Sequence, residues 1–172
     1  MASTEDEFTS FAETASSGLL ATAFLLCGDW HTAQDLTQTT LARVFAAWRR
    51  IRDKDAVHAY ARRTLLNAYF VECRRRRRGE VLTADASQLP RRHVEAHAPE
   101  LRLALMTALG TLPPQARAVV VLRYWEDMSI EQVASLLNCS AGNVKSQSSR
   151  ALAKLRQLLG EDASDPRAPR SQ

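Results

Sequence analysis

Residues 128–151 read MSIEQVASLLNCSAGNVKSQSSRA. Ser129 followed by Gln132 is the pattern of a capping box, in which a hydroxyl and a carboxamide satisfy the open amides at a helix start. Ile130, Val133, Ala134 and Leu137 recur at helical spacing, so one face of a short helix is apolar. Asn138-Cys139-Ser140 reads as a tight turn. From Ala141 a second helix is predicted to about Leu159, buried through Val144, Ala151, Leu152, Leu155 and Leu158. Two short helices around a three-residue turn describe a helix-turn-helix, which lays its second helix in a DNA major groove. That placement directs Asn143, Lys145, Ser146, Ser149 and Arg150 outward, where they can meet phosphates or base edges. On periodicity alone, an ordinary helical hairpin with a solvated face fits equally well.

Upstream of this stretch, Leu101, Leu105, Ala108 and Leu109 open an apolar helix. Thr111-Leu112-Pro113-Pro114 stops it and starts another, since proline is tolerated in a first turn. Ala116 to Trp125 is a short apolar helix. Residues 79–98 lack periodicity and hold Pro90, His93 and His97, so they read as a linker, longer than most loops inside a domain. The two histidines have metal-like spacing, but no third ligand accompanies them, and solvated side chains are expected.

Before the linker, residues 8–78 read as three helices. Phe8 to Cys27 ends at Gly28-Asp29, and Thr32 is placed to cap the next helix. There Leu41, Val44, Phe45 and Trp48 form a buried stripe, leaving Asp35, Gln38 and Thr39 more exposed. A polar break precedes a long helix from about Ala56 to Arg77, with Tyr60, Thr64, Asn67 and Val71 on one side. Residues 160–172 are polar and are expected to be a disordered tail. The fold class is all-α: two small helical domains, 8–78 and 99–159, joined by a flexible linker at 79–98, the second a helix-turn-helix.

Charge is distributed unevenly. Residues 1–48 hold six carboxylates and one base, Arg43, whereas residues 49–78 hold eleven bases and three acids. Arg74 to Arg78 are five consecutive arginines, a local field suited to phosphate or a solubilising segment at a domain edge. Apolar content of 45% and charged content of 24% are those of a soluble globular chain. Gly18 to Cys27, the longest weakly polar run, is short for a bilayer, so no membrane insertion is expected. The acidic start is unlike a secretory signal, and three isolated cysteines suit a reducing cytoplasm. No glycine-rich phosphate loop, nucleophile elbow or metal-ligand cluster is present, so no enzymatic activity, catalytic residue, metal or cofactor is expected.

Three stretches resemble the extracytoplasmic-function (ECF) class of bacterial sigma factors. Gly28-Asp29, then Ala33 to Gln38, ending at Trp48, is similar to that family's "GD…AEDLVQE…W" helix. Ala61 to Asn67, leading into Arg74 to Arg78, resembles "YRIARN…RRRR". Leu112-Pro113-Pro114, Arg117 and the stretch from Met128 to Ala151 resemble "LPP..R…S.EEIA..L..S.GTVKSR..RA". The resemblance implies a dissociable specificity subunit that brings core RNA polymerase to promoters and aids melting. It implies that Asp35, Leu36, Gln38 and Thr39 dock on core polymerase. It implies that Arg62, Arg63, Asn67, Arg74 and Arg75 engage the −10 element. Ser140, Gly142, Asn143, Lys145, Ser146, Ser149 and Arg150 would read the −35 element. An anti-sigma factor is an expected partner. Thr39, Val71, Gln132 and Gln147 depart from the pattern, the last standing where arginine is usual.

Two rival functions fit parts of the chain. A self-sufficient helix-turn-helix repressor predicts a dimer on a two-fold site, but residues 8–78 show no dimerisation pattern. A non-specific RNA binder would use the arginine run and ignore the last helix.

Overall fold

The computed structural model describes residues 4–51, 53, 56–79 and 99–160. Residues 80–98 and the tail beyond Gly160 lie outside them, so the expected linker, its histidines and the tail do too. The chain divides into two compact units, Met1–Val94 and Glu95–Gln172, and every regular element among the described residues is a helix.

In the first unit α1 (Thr4–Cys27), α2 (Trp30–Ala47) and α3 (Ala56–Arg77) pack on one another, with a 3-10 turn, Trp48–Arg50, closing α2. Helix α1 starts four residues before the expected Phe8. Glu5, Asp6 and Glu7 fill its first turn, where carboxylates favour the positive end of the helix. Its hydroxyls bond back to the helix, Thr9 Oγ1 to the Glu5 carbonyl at 2.8 Å and Thr14 Oγ1 to that of Phe11 at 2.9 Å. By length and composition alone α1, longer than the expected apolar run Gly18 to Cys27, could cross a bilayer. Here it buries Phe11, Ala15, Leu19, Thr22, Ala23, Phe24 and Leu26 within the bundle.

The turn into α2 uses Gly28 at φ 75°, a conformation glycine adopts without strain. This turn brings the Asp29 carboxylate over the first-turn amides, so Asp29, not Thr32, is the cap. Asp29 Oδ2 accepts the Thr32 N–H at 2.8 Å and the Thr32 hydroxyl at 2.6 Å. Arg76, near the end of α3, donates in turn to the Thr32 hydroxyl. Burial pushes the Asp29 carboxyl up. The Thr32 bonds and the charges of Arg76 and His31 outweigh it and hold the group below its ordinary 3.8.

The buried line of α2 runs through Ala33, Leu36, Thr37, Thr40 and Val44 to Trp48. Thr37 and Thr40 fit inside because each hydroxyl donates at 2.7 Å to the carbonyl four residues back. Phe45, expected in this stripe, is 48% exposed and leans on Phe8, ring centroids 4.9 Å apart. Trp48 packs edge-on to Phe8 at 5.3 Å and against Phe11 at 5.4 Å. Helix α3 spans the expected residues, but Thr64 turns inward, its hydroxyl donating to the Tyr60 carbonyl at 2.8 Å.

The second unit holds α4 (Pro99–Gly110), α5 (Pro114–Val120), a π-helical turn (Val121–Trp125), α6 (Ile130–Leu137) and α7 (Ala141–Leu159). The expected helix from Ala116 to Trp125 widens at Val121, whose carbonyl accepts the Glu126 N–H at 3.1 Å, five residues on. Of α4 only Ala108 and Leu109 are buried. Leu101 and Leu105, expected inside, are exposed, as is Leu158 of α7. The core comprises Ala118, Val119, Leu122, Val133, Val144 and Ala151.

The capping box forms as read: Ser129 Oγ accepts the Gln132 N–H at 3.1 Å and Gln132 Oε1 accepts the Ser129 N–H at 2.8 Å. Asn138 ends α6 in the left-handed region at φ 52°, ψ 51°, and Ser140 caps α7 by accepting the Asn143 N–H at 3.1 Å.

Asp29→Asn keeps a capping oxygen and removes the charge. Because the folded-state pKa of Asp29 is depressed, its stabilisation is present above the unfolded value and is lost as pH falls through the folded one. The variant is expected to be less stable by roughly 0.5–1 kcal/mol at pH 7. The difference should vanish below the ordinary carboxylate range, as read by urea denaturation at a series of pH values.

Candidate nucleic-acid interface

Helix α7 is the better-defined surface. Val144, Ser148, Ala151 and Leu155 are buried and fix its inner side. Opposite them Gly142, Ser146 and Ser149 follow one another at steps of four and three residues, forming a centre line of small exposed residues. One margin carries Asn143, Gln147 and Arg150, and the other carries Lys145. Asn143, Lys145, Ser146, Ser149 and Arg150 are all exposed, as the helix-turn-helix reading requires. Arg150 Nε donates to the Ser146 carbonyl at 3.2 Å, a bond that does not use the two terminal nitrogens of the guanidinium. Ser140 lies at the helix start, where its hydroxyl serves as the cap. A β-carbon added at Gly142 would meet only Ser140 Oγ, at 3.9 Å, so local packing does not require glycine there.

Two anchors hold this helix from neighbouring elements. The Tyr124 and Ser148 hydroxyls share a hydrogen bond of 3.1 Å, joining the π turn to the buried side of α7. Lys154 Nζ donates to the Thr111 carbonyl at 2.9 Å, joining α7 to the loop after α4. Glu131, at the start of α6, is held below the usual carboxylate range by its own backbone amide and the Ser129 hydroxyl, with Lys145 and Arg123 adding positive charge nearby.

On α3 and the turn that ends it, Tyr60, Arg63, Asn67, Val71, Arg74 and Arg78 succeed one another at steps of three or four residues, and all six are exposed. They form one ribbon roughly 27 Å long. Arg62 lies on another side and is half-buried. The arginine run splits. Glu72 pairs with Arg75 Nη1 at 3.2 Å and with Arg76 Nε at 3.1 Å, and Arg76 also reaches Thr32. Arg74 and Arg78 continue the ribbon, whereas Arg75 lies beside Glu72.

On α2, Asp35, Gln38 and Thr39 are exposed together, but Leu36 is only 6% exposed. Its side chain lies in the bundle core beneath the three exposed ones. Tyr60 shares the Asn67 side, as its helical spacing predicts, and Gln147 stands four residues on from Asn143; neither is among the contact residues the resemblance implies. Among the described residues no cluster of three metal-ligating side chains occurs.

Residues 12–79 match the family model for sigma-70 region 2, and residues 102–155 match that for sigma-70 region 4. The chain is 43% identical to the RNA polymerase sigma-E factor of Streptomyces coelicolor, over 94% of this chain and 91% of that protein. This is a sigma factor of the ECF class. It is 44% identical to the sigma-E factor of Streptomyces antibioticus, over 94% of this chain and 89% of that one. Among solved structures, the fold is similar to the sigma factor RpoE of Bartonella quintana, crystallised with the anti-sigma factor NepR. The TM-score is 0.73 at 24% identity, covering 89% of this chain and 96% of that one. As an ECF sigma factor the chain serves promoter-directed transcription initiation. The α3 ribbon lies within region 2 and the α7 face within region 4 of this sigma factor.

The two kinds of residue on α2 separate by mutation. Leu36→Ala is expected to lower stability by about 2–5 kcal/mol. Asp35→Ala and Gln38→Ala should stay within about 0.5 kcal/mol of the parent. Equilibrium urea unfolding measures both.

Proposed function

We propose that the two units read the two promoter elements while α2 holds core RNA polymerase. In this reading residues 8–78 form the first domain and 99–159 the second, with 79–98 as the tether. Asp35, Gln38 and Thr39 dock on the polymerase, backed by Leu36. Carboxylate, carboxamide and hydroxyl groups on a sparsely basic segment suit a protein partner better than phosphate. The α3 ribbon takes the −10 element: Asn67 meets an unstacked base, Tyr60 and Val71 offer flat or apolar contact beside it, and Arg63, Arg74 and Arg78 face phosphates. Holding an unpaired base offsets part of the unpairing cost. Arg75 contributes positive field from the ribbon's edge, and Arg62 from another side of the helix.

The −35 element is read by α7. Gly142, Ser146 and Ser149 let the helix approach base edges closely. Asn143 and Arg150 reach from one margin and Lys145 from the other, while Ser140 presents the helix start to phosphate. The observation that carries the reading is this polar face, fully exposed on a capped second helix within the region 4 match. Two weak readers on one chain gain from effective concentration, so neither needs high affinity alone. The protein makes and breaks no bond and acts in the cytoplasm as a non-catalytic subunit. An anti-sigma factor is its regulatory partner, a proposal supported by two structures of similar fold. These are RpoE with NepR and CnrH with the cytosolic domain of CnrY.

Run-off transcription with core RNA polymerase tests the proposal. The double variant Lys145→Ala, Arg150→Ala is expected to lose at least about tenfold in promoter-dependent transcript while its unfolding transition is unchanged. A parent protein that neither co-purifies with core polymerase nor yields a promoter-dependent transcript would refute the reading. Gly142→Ala should raise folding stability by up to about 1 kcal/mol and weaken binding to the −35 duplex. Urea unfolding and fluorescence anisotropy measure the two effects.

A further inference from the structure

We infer that Gln147 selects which edge of the Asn143 amide faces DNA, so that the pair sets base preference at one position of the −35 element. The inference rests on the proposed role of α7 as the base-reading helix. Gln147 Nε2 donates to Asn143 Oδ1 at 2.7 Å, along one margin of the helix. Gln147 is half-buried while Asn143 is exposed. The backbone of Asn143 is fixed by the Ser140 cap at 3.1 Å. Its amide oxygen therefore points along the helix at Gln147, and its NH2 group, two donors and no acceptor, points outward.

That orientation has a consequence for base reading. Guanine offers O6 and N7 as acceptors and thymine offers O4, so both match an outward NH2 group. Cytosine offers the N4 amine, a donor, and does not. Adenine is usually read by asparagine through two bonds, one of which needs the amide oxygen to accept from N6. With that oxygen engaged by Gln147, adenine keeps a single bond, to N7. The pair favours guanine or thymine, accepts adenine less well and rejects cytosine.

The test is a set of promoters in which each −35 base pair is varied in turn, transcribed by the full chain with core RNA polymerase. The parent is expected to discriminate against cytosine at one pair by roughly tenfold. Gln147→Met keeps the length of the side chain and removes its amide, so discrimination at that pair should fall to within about threefold, with the other pairs unchanged. Gln147→Glu supplies a carboxylate that can only accept. It draws in the Asn143 NH2 group and turns the oxygen outward. Preference at the same pair should move towards cytosine and adenine, on top of a uniform loss of affinity from the added negative charge. Thermal unfolding of both variants should stay close to the parent, because such a pair adds little to helix stability. Preferences identical to the parent's at every −35 pair in both variants would overturn the inference alone. A parent without any promoter preference would overturn the functional reading with it. If the Glu variant does not fold, the Met variant decides.

Discussion

The three-residue turn between α6 and α7 depends on one residue in the left-handed region, which ends the first helix and redirects the chain: Asn138, at φ 52°, ψ 51°. Few residue types tolerate this; asparagine is one of them. The Cys139 N–H then closes back on the Ala134 carbonyl at 2.9 Å, and the Ser140 hydroxyl takes one open amide of α7, that of Asn143. The turn and its cap set where α7 starts, and burial of Val144, Ala151 and Leu155 against the neighbouring helices holds its direction. Tyr124 and Lys154 then prevent rotation about that direction. A reading surface needs this rigidity, because displacing a side chain by an ångström breaks a hydrogen bond to a base edge.

The first unit uses the same device with different residues. Gly28 supplies the left-handed turn and Asp29 the capping oxygen. Here the cap is also a long-range tie, since the chain Arg76 to Thr32 to Asp29 joins the end of α3 to the start of α2. In both units buried hydroxyls are bonded, Thr37, Thr40 and Thr64 to carbonyls of their own helix and Ser148 to Tyr124. This lets polar residues occupy core positions at little cost.

Much of this fold was legible in the sequence. The bounds of α3 and α7, the capping box and the three-residue turn follow from local signals that packing did not override. The errors share a cause: local patterns do not say where neighbours will be. Thr32 and Asp29 are both good caps, and the choice depends on where Gly28 turns the chain. Phe45 has the right period for the core, but it lies at the edge of the bundle, where Phe8 covers one side of it. Leu101 and Leu105 have helical spacing, yet α4 meets α7 only near its far end. The π turn, in which Val121 and Leu122 are buried, has no periodic signature in the sequence. Among the site residues, exposure of the α7 polar face was readable from period, whereas the burial of Leu36 and the bond between Gln147 and Asn143 were not.

The arginine run shows how charge in a sequence differs from charge available to a partner. Five adjacent guanidinium groups suggest five displaced cations on binding a nucleic acid. Glu72 already neutralises one unit of that charge, and Arg76 is tethered to another helix. Each phosphate truly contacted steepens the dependence of affinity on salt by about 0.9 on logarithmic axes for a duplex, and less for a single strand. In the proposed role the segment therefore releases fewer counterions than its composition implies, and binding through it depends less steeply on ionic strength. In that role the same moderation limits how strongly the protein is held by DNA of unrelated sequence.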